Sequence, residues 1–185
     1  MTASPDLPTT TAVDPDLDTR VHTVNEHMRL ENAYDFPACI GKFARPKYEV
    51  VADDELYDGA DRVHFFLGEN LKAFPDFTFV PTRVSPTTDA VLVEGRFQGT
   101  HLGGWRGLPP TGKKVDFAMC LIFEFEGQSM VNEKLYFDLS SPLRQLGVAD
   151  DPNKIRGKLT LVLTHPIVLL KALLHQLEAR KARKE

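Results

Sequence analysis

Apolar residues in the first part of the chain recur at the spacing of α-helices. In residues 16–31 they fall at i, i+4, i+7 and i+11, which defines one stripe of an amphipathic helix: Leu17, Val21, Val24 and Met28. Residues 59–74 show helical spacing as well, and Pro75 ends this helix because proline cannot continue the hydrogen-bond ladder. A short helix between the two begins near Asp35, which can cap it, with Pro37 in its first turn. These helices need another element to cover their apolar faces.

After Pro75 the period of the apolar residues changes from 3.6 to 2, which indicates strands. A brief strand is also predicted at residues 47–52. The clearest strand is at 115–126, where one face is apolar throughout: Val115, Phe117, Met119, Leu121, Phe123 and Phe125. Helices first and strands joined by short connections afterwards favour an α+β domain with an antiparallel meander. We therefore predict that residues 76–138 form a curved antiparallel sheet with the helices of residues 16–74 on its concave side.

Length and composition are those of a globular protein. The 185 residues are enough for one substantial core, so a second domain is not expected. Hydrophobic residues make up 42% and charged residues 26%, which excludes wholesale disorder and a membrane-embedded body. Residues 1–15 are rich in Pro, Thr and Asp and are predicted to be a disordered lead-in.

The cysteines and the N-terminus bear on the compartment. Cys39 and Cys120 are too few for a disulfide framework and lack the spacing of a zinc site, so we interpret them as free thiols in a reducing environment. No apolar stretch follows a basic start at the N-terminus, which argues against a secretory signal. A cytoplasmic location is the expectation.

The net charge of −4 conceals two oppositely charged parts. The segment from Lys154 to Glu185 has eight Lys or Arg against two acidic residues, about +6, which leaves about −10 on residues 1–153. The acidic body argues against nucleic-acid binding, which depends on neutralising phosphates. We predict no nucleic-acid partner.

The basic segment is predicted to be a helical extension over residues 149–185. A helix from about Thr164 to Lys181 carries a stripe of leucines: Leu170, Leu173, Leu174 and Leu177. Pro166 and the shortness of the apolar runs argue against a membrane-spanning helix. Because most of its basic residues follow the stripe, docking on protein is favoured, and an anionic membrane surface is the alternative.

Two motifs carry a resemblance to a known family. Residues 99–115, "GTHLGGWRGLPPTGKKV", resemble the strand, loop and strand of SnoaL-like proteins, in which Gly-x-His is followed by a Gly-Leu-Pro-Pro-Thr-Gly turn. Residues 136–147, "YFDLSSPLRQLG", resemble the end of the last strand and the short helix after it. The order of elements is similar over residues 16–148. The resemblance implies one domain there with the cone-shaped α+β barrel of the nuclear-transport-factor-two-like superfamily, which includes ketosteroid isomerases, dehydratases and epoxide hydrolases.

The resemblance also implies a chemistry. SnoaL-like enzymes close a polyketide ring by aldol condensation without metal or cofactor, using a carboxylate acid/base and a nearby histidine. In that pattern the histidine falls at about Cys120 and the aspartate at about Leu135, and neither residue can perform that role. Glu133 lies two residues before Leu135 on the same strand face and could supply a displaced carboxylate, its alternative being a salt-bridged strand residue. We predict no cofactor and no metal.

Other polar residues are placed near the same predicted pocket. His101 ends a strand at the Gly-rich turn, where it could act as a base or donor, and the alternative is a hydrogen-bonded structural histidine. The catalytic candidates are therefore Glu133 and His101. The further candidates for the pocket lining are Tyr34, Cys120, Leu135, Tyr136 and Asp138. Core packing is the alternative for the two tyrosines and helix capping for the aspartate.

Two classes of function stay open. The first is a cofactor-independent cyclase, isomerase or dehydratase that acts on an apolar polyketide- or steroid-like carbonyl compound. The second is a non-catalytic small-molecule-binding or scaffold protein of the same fold. The sequence lacks a phosphate loop, a metal-ligand motif and a nucleophile elbow, which argues against other chemistries. An exposed sheet face makes a homodimer the expected assembly.

Overall fold

The computed structural model describes residues 15–151 and 153–182, which form two compact units that divide between Leu139 and Ser140. The predicted lead-in therefore lies outside the described residues except for Pro15. The elements of the first unit are α1 (Pro15–Asn32), α2 (Phe36–Ile40), β1 (Lys47–Val50), β2 (Glu55–Asp58), α3 (Ala60–Ala73), β3 (Thr78–Pro86), β4 (Ala90–Thr100), β5 (Lys114–Glu126) and β6 (Ser129–Phe137). Those of the second unit are α4 (Ser140–Leu146), α5 (Ile155–Thr164) and α6 (Pro166–Ala182).

The six strands form one curved, unclosed sheet in the order β2-β1-β6-β5-β4-β3. Strands β3 to β6 are an antiparallel meander, so the prediction for residues 76–138 is confirmed. Strand β1 pairs in parallel with β6 and antiparallel with β2. The sequence analysis missed β2, whose four residues are mostly exposed and carry no alternating pattern.

The helices of the first unit cover one face of this sheet, with α1 against β3 and β4 and α3 against β1 and β2. On β5 this is the face that is apolar throughout, as predicted from the alternation. Its buried residues are Val115, Phe117, Leu121, Phe123 and Phe125. We call it the inner face, and the opposite one the outer face.

A β-bulge in the β5–β6 hairpin decides which β6 residues reach the inner face. Met130 pairs with Phe125, whereas Asn132 pairs with Glu124, so one additional residue lies between them on β6. After the bulge Glu133 lies opposite Phe123. Met130 and Glu133 thus share the inner face although they are three residues apart.

The end of α1 leads directly into α2. Tyr34 has a φ of 60°, and the N–H groups of Tyr34 and Asp35 donate to the carbonyls of Glu31 and Leu30, which is a Schellman ending. Asp35 then caps α2, since its side chain accepts a hydrogen bond from the Ala38 N–H, as predicted.

The second unit is helical. The predicted helix from Thr164 to Lys181 is observed as α6, which begins at Pro166. Among the described residues no helix is long and apolar enough to cross a membrane.

Candidate functional site

A cavity lies between the inner face of the sheet and the helices α1 and α3. Its volume is about 40 Å³, measured for the centre of a water-sized sphere. Nine of its thirteen lining residues are apolar, and the four polar ones are Glu31, Asn32, Asn70 and Glu133. Because one water needs roughly 10–15 Å³ on this measure, the space holds a few waters. The cavity is therefore apolar with a small number of polar groups, the usual composition of a small-molecule site.

Glu133 makes its main contact in this cavity with a buried histidine. Both Glu133 and His27 are almost fully buried, at 1% and 0% exposed. His27 Nε2 lies 3.2 Å from Glu133 Oε2 and 3.4 Å from Glu31 Oε2. On the other side of the ring, Nδ1 lies 3.2 Å from the main-chain oxygen of Cys39. The two nitrogens can therefore both donate, one to the main chain and the other to a carboxylate.

The protonation of this cluster follows from burial and from its own hydrogen bonds. Burial alone lowers the pKa of His27, but hydrogen bonds to Cys39, Glu133 and Glu31 outweigh it, so the pKa of His27 lies well above its ordinary value. Burial raises the pKa of Glu133, and the charge and hydrogen bond of His27 oppose that rise. The charged forms of the two groups thus stabilise each other against the cost of burial.

Tyr48 and aromatic rings complete the surroundings of His27. The Tyr48 hydroxyl lies 3.2 Å from His27 Nε2 and donates a hydrogen bond to the Glu133 carboxylate. Burial raises the pKa of Tyr48 well above its ordinary value, so it stays a neutral donor. The His27 ring meets the rings of Phe43 and Phe123 edge-on, with centroids 5.1 and 5.4 Å apart. These rings keep water away from the ion pair, which strengthens its electrostatic interactions.

The geometry of the cluster fits proton sharing better than metal binding. Among the described residues one group of ligand-type side chains, His27, Glu31 and Cys39, has its donor atoms within 4.8 Å of one another. Cys39 Sγ lies 3.3 Å from Nδ1 and 3.7 Å from Nε2 of His27. A sulfur that lay in the ring plane, along the lone pair of one nitrogen, would be far closer to that nitrogen than to the other. Because the two distances are similar, this sulfur lies over the face of the ring. Burial also raises the pKa of Cys39, which disfavours the thiolate that metals bind.

The structure separates the residues that the sequence placed in one pocket. Glu133 and Leu135 line the cavity. Cys120 and Tyr136, which are opposite each other in the β5–β6 pairing, lie on the outer face in a shallow depression with Glu94. This follows from the alternation along each strand, because the neighbouring residues Leu121 and Leu135 point to the inner face.

His101, Tyr34 and Asp138 also lie away from the cavity lining. His101 is buried, its Nδ1 accepts a hydrogen bond from the Thr111 N–H, and burial lowers its pKa. Tyr34 donates from its hydroxyl to the Phe77 carbonyl and packs on the Phe77 ring behind the cavity wall. Asp138 is exposed just after β6. A catalytic role for His101 stays a prediction, without support from its position.

Sequence reasoning missed His27, Glu31 and Tyr48. One signal was present: His27 lies three residues after Val24 and next to Met28, so it belongs to the predicted buried face of α1, and Glu31 follows one turn later. A histidine within an apolar helical face needs a buried partner. That the partner is a carboxylate 106 residues away could be learned only from the fold.

Comparisons with known proteins agree with this architecture. The family model of the SnoaL-like polyketide cyclases matches residues 28–146. Comparison with curated proteins finds no match. Among solved structures, AclR from Streptomyces galilaeus is 22% identical with a TM-score of 0.65, over 77% of this chain and 93% of AclR. A SnoaL-like protein from Jannaschia sp. CCS1 is 18% identical with a TM-score of 0.64, over 76% of this chain and 99% of that one.

A third similar structure contains a small molecule. It is a protein with a ketosteroid isomerase-like fold from Catenulispora acidiphila in complex with trimethylamine, 17% identical with a TM-score of 0.60, over 68% of this chain and 92% of that one. At these identities the structural likeness establishes the fold. The family match spans well over half of the chain and includes the strand that carries Glu133, so this protein belongs to the SnoaL-like polyketide cyclase family.

Proposed function

We propose that the protein is a cofactor-independent acid/base enzyme that removes a proton from a carbon next to a carbonyl group in an apolar small molecule. The observation that carries the proposal is a buried carboxylate, Glu133, which lines an apolar cavity and is hydrogen-bonded to a buried histidine. Cyclisation by aldol condensation, isomerisation and dehydration share this first step, so the proposal covers the reactions expected for polyketide- or steroid-like carbonyl compounds.

Glu133 is the proposed base. Carbon acids next to a carbonyl are weak, and a carboxylate acts better on them when burial raises its pKa toward the working pH. Glu133 meets this requirement because burial raises its pKa. In the step itself Glu133 takes the proton, the C–H electron pair forms the enolate, and negative charge moves from Glu133 to the substrate oxygen.

His27 and Asn70 have supporting roles in the proposal. His27 does not line the cavity, so we assign it a positioning role: its imidazolium keeps Glu133 ionised and oriented while the site is empty. Asn70, on α3, does line the cavity, and its amide can donate to the developing enolate oxygen. A donor and a base in one apolar cavity are the minimum for enolisation.

Glu31 extends the cluster toward solvent. Its side chain is 21% exposed, and its Oε2 contacts His27 Nε2, the nitrogen that Glu133 also contacts. His27 Nε2–H can release its proton to Glu31, and the same nitrogen can then accept the proton that Glu133 has taken, which leaves the buried site by way of Glu31. This route resets the base in reactions that do not return the proton to the substrate.

The size of the cavity bears on the substrate. Ligand pockets usually enclose roughly 300–1,000 Å³, far more than the enclosed space here. Met28 and Met119 are both part of the lining, and flexible methionine side chains can move to admit a ring. We expect a compact apolar carbonyl compound rather than a large polyketide.

The experiment measures hydrogen–deuterium exchange at the α-carbon of 2-tetralone, an apolar cyclic ketone, in D2O by proton NMR. We expect the wild-type protein to accelerate exchange and Glu133→Gln to lower the enzyme-dependent rate by about 100-fold or more, since a general base contributes roughly 10²–10⁴. Glu94→Gln is the matched control because it removes an exposed carboxylate from the outer face of the same sheet.

The same assay distinguishes the alternative function. Binding is followed separately by the ketone-induced shift of the melting temperature. A ketone that binds to the wild-type protein without accelerated exchange would favour the non-catalytic binding protein. Equal rates for wild type and Glu133→Gln would contradict the role of Glu133.

A further inference from the structure

The second unit carries an apolar surface that the cavity does not use. α5 and α6 expose a run of large apolar side chains: Leu159, Leu161, Val162, Leu163, Ile167 and Val168. Leu163 and Ile167, on either side of the junction between the helices, are 71% and 69% exposed. A concentration of this kind is uncommon on soluble monomers and marks an interaction surface.

The apolar residues of α5 cover a broad face of the helix, and Arg156, Thr160 and Thr164 lie together on the other side. At 3.6 residues per turn, Leu161, Val162 and Leu163 point in three different directions, and Leu159 lies between two of them. A broad apolar face opposite a polar one is the pattern of a helix that lies at a membrane interface.

Basic residues stand on both sides of the apolar stretch. Lys154, Arg156 and Lys158 precede it and are exposed, and Arg180 and Lys181 occupy the last turn of α6. From Lys154 to Ala182 the chain has six Lys or Arg and one acidic residue. Each basic residue gains about 1 kcal/mol near an anionic lipid surface. An apolar centre with basic ends matches a hydrocarbon layer bounded by anionic headgroups.

The length of α5 fits insertion into one leaflet of a bilayer. α5 has 10 residues and is about 15 Å long, half of the roughly 30 Å hydrocarbon core of a bilayer. Pro166 begins a new helix after it, so the two helices do not form one long apolar span. Lys171, one turn into α6, has a side chain long enough to reach the headgroups.

We propose that α5 and α6 bind an anionic membrane surface, with Leu159 to Val168 inserted among the acyl chains and the flanking basic residues at the lipid headgroups, in place of the protein partner that the sequence favoured. This inference is independent of the reaction in the cavity, which lies entirely in the first unit.

The test is flotation of the full-length protein with two kinds of vesicle, phosphatidylcholine alone and phosphatidylcholine mixed with phosphatidylglycerol. We expect flotation with the anionic vesicles, and a loss of about tenfold or more in bound protein at about 1 M salt, where the screening length falls to about 3 Å.

Two variants separate the charge from the apolar contribution. The triple change Lys154→Glu, Arg156→Glu and Lys158→Glu should lower binding to anionic vesicles by about tenfold or more. Leu159→Gln with Ile167→Gln should abolish binding at every salt concentration. The matched control for the charge change is Arg45→Glu, Arg83→Glu and Lys114→Glu, which reverses three exposed charges on the first unit and should leave binding unchanged.

Three results would overturn the proposal. The first is failure of the full-length protein to float with either vesicle. The second is equal loss of binding in the control variant and the tail variant. The third is an oligomer, seen by light scattering, that Leu159→Gln with Ile167→Gln dissociates while no vesicle is bound, because the covering partner would then be a second copy of the chain.

Discussion

At the scale of single residues, the cost of burying Glu133 is offset by its neighbours. An unpaired buried carboxylate shifts its pKa upward until it becomes neutral, whereas a paired one can stay charged. His27 supplies the opposite charge, and the Tyr48 hydroxyl adds a further hydrogen bond that lowers the pKa of Glu133. Burial and these two partners thus act on the pKa of Glu133 in opposite directions, and burial is the larger effect.

Replacement of His27 should change how stability depends on pH. The pKa values of His27 and Glu133 are both raised in the folded protein, so the native state binds more protons than the unfolded state and stability falls with rising pH. The contribution of His27 is complete below its unfolded pKa of about 6.5 and is lost as the pH rises through its folded value. We expect the free energy of unfolding of His27→Gln, measured by urea denaturation, to be lower than that of wild type, with a difference that shrinks at alkaline pH.

The same variant should move the pH profile of ketone exchange. Without the imidazolium, the pKa of Glu133 rises further, so the ascending limb of the rate shifts to higher pH. His22→Gln is the control, since His22 is an exposed histidine of the same helix. An unchanged limb in His27→Gln would show that His27 does not set the ionisation of Glu133.

At the scale of elements, hydrogen bonds from the Asn32 side chain link α1 to the edge of the sheet. β3 is an edge strand, so one side of its main chain has no strand partner. The Asn32 amide donates to the Phe79 carbonyl and accepts from the Phe79 N–H, both at 2.8 Å. The Asn32 side chain thus makes the two main-chain hydrogen bonds that a further strand would make, and it holds the cavity-lining parts of α1 and β3 together.

Asn32→Ala should destabilise the protein by about 1–3 kcal/mol, because two partly buried main-chain groups lose their partners. Urea denaturation measures the change. The matched control is Asn25→Ala, the same substitution at an exposed position of α1, which should change stability by less than about 0.5 kcal/mol. Similar losses in both variants would mean that helix propensity, and not the contact with β3, explains the effect.

At the scale of the whole molecule, the two proposals concern separate units of the chain. The inner face, the cavity and the His27–Glu133 pair belong to the first unit, whereas the exposed apolar residues belong to α5 and α6. The domain boundaries drawn from the sequence, 16–148 and 149–185, stay a prediction, as does the homodimer. The family match ends at residue 146 and therefore includes α4.

A chain that stops after Val148 should therefore keep the fold and the site. We expect its melting temperature and its rate of ketone exchange to equal those of the full-length protein, since the elements that form the cavity all precede α5. Its flotation with anionic vesicles should be lost. A truncated chain that no longer unfolds cooperatively would show that α5 and α6 belong to the stability of the domain.

The sequence determined the order of the predicted helices and strands and the buried face of β5. It also determined that Glu133 and Leu135 share a strand face. These are local properties, because side-chain direction follows from a period of 3.6 or 2 along a single element. β2 is too short to show a period, and its pairing with β1 was recognised only in the sheet.

Tertiary structure alone decided which polar groups meet. The encounter of His27 with Glu133 joins positions 106 residues apart, and it depends on how α1 lies over the sheet. The neighbours of Cys120 also depend on the fold, because the pairing of β5 with β4 and β6 places it next to Glu94 and Tyr136 on the outer face. Alternation specifies which side chains share a face of a strand, and only the packing of α1 and α3 on the sheet decides which helix residues that face meets.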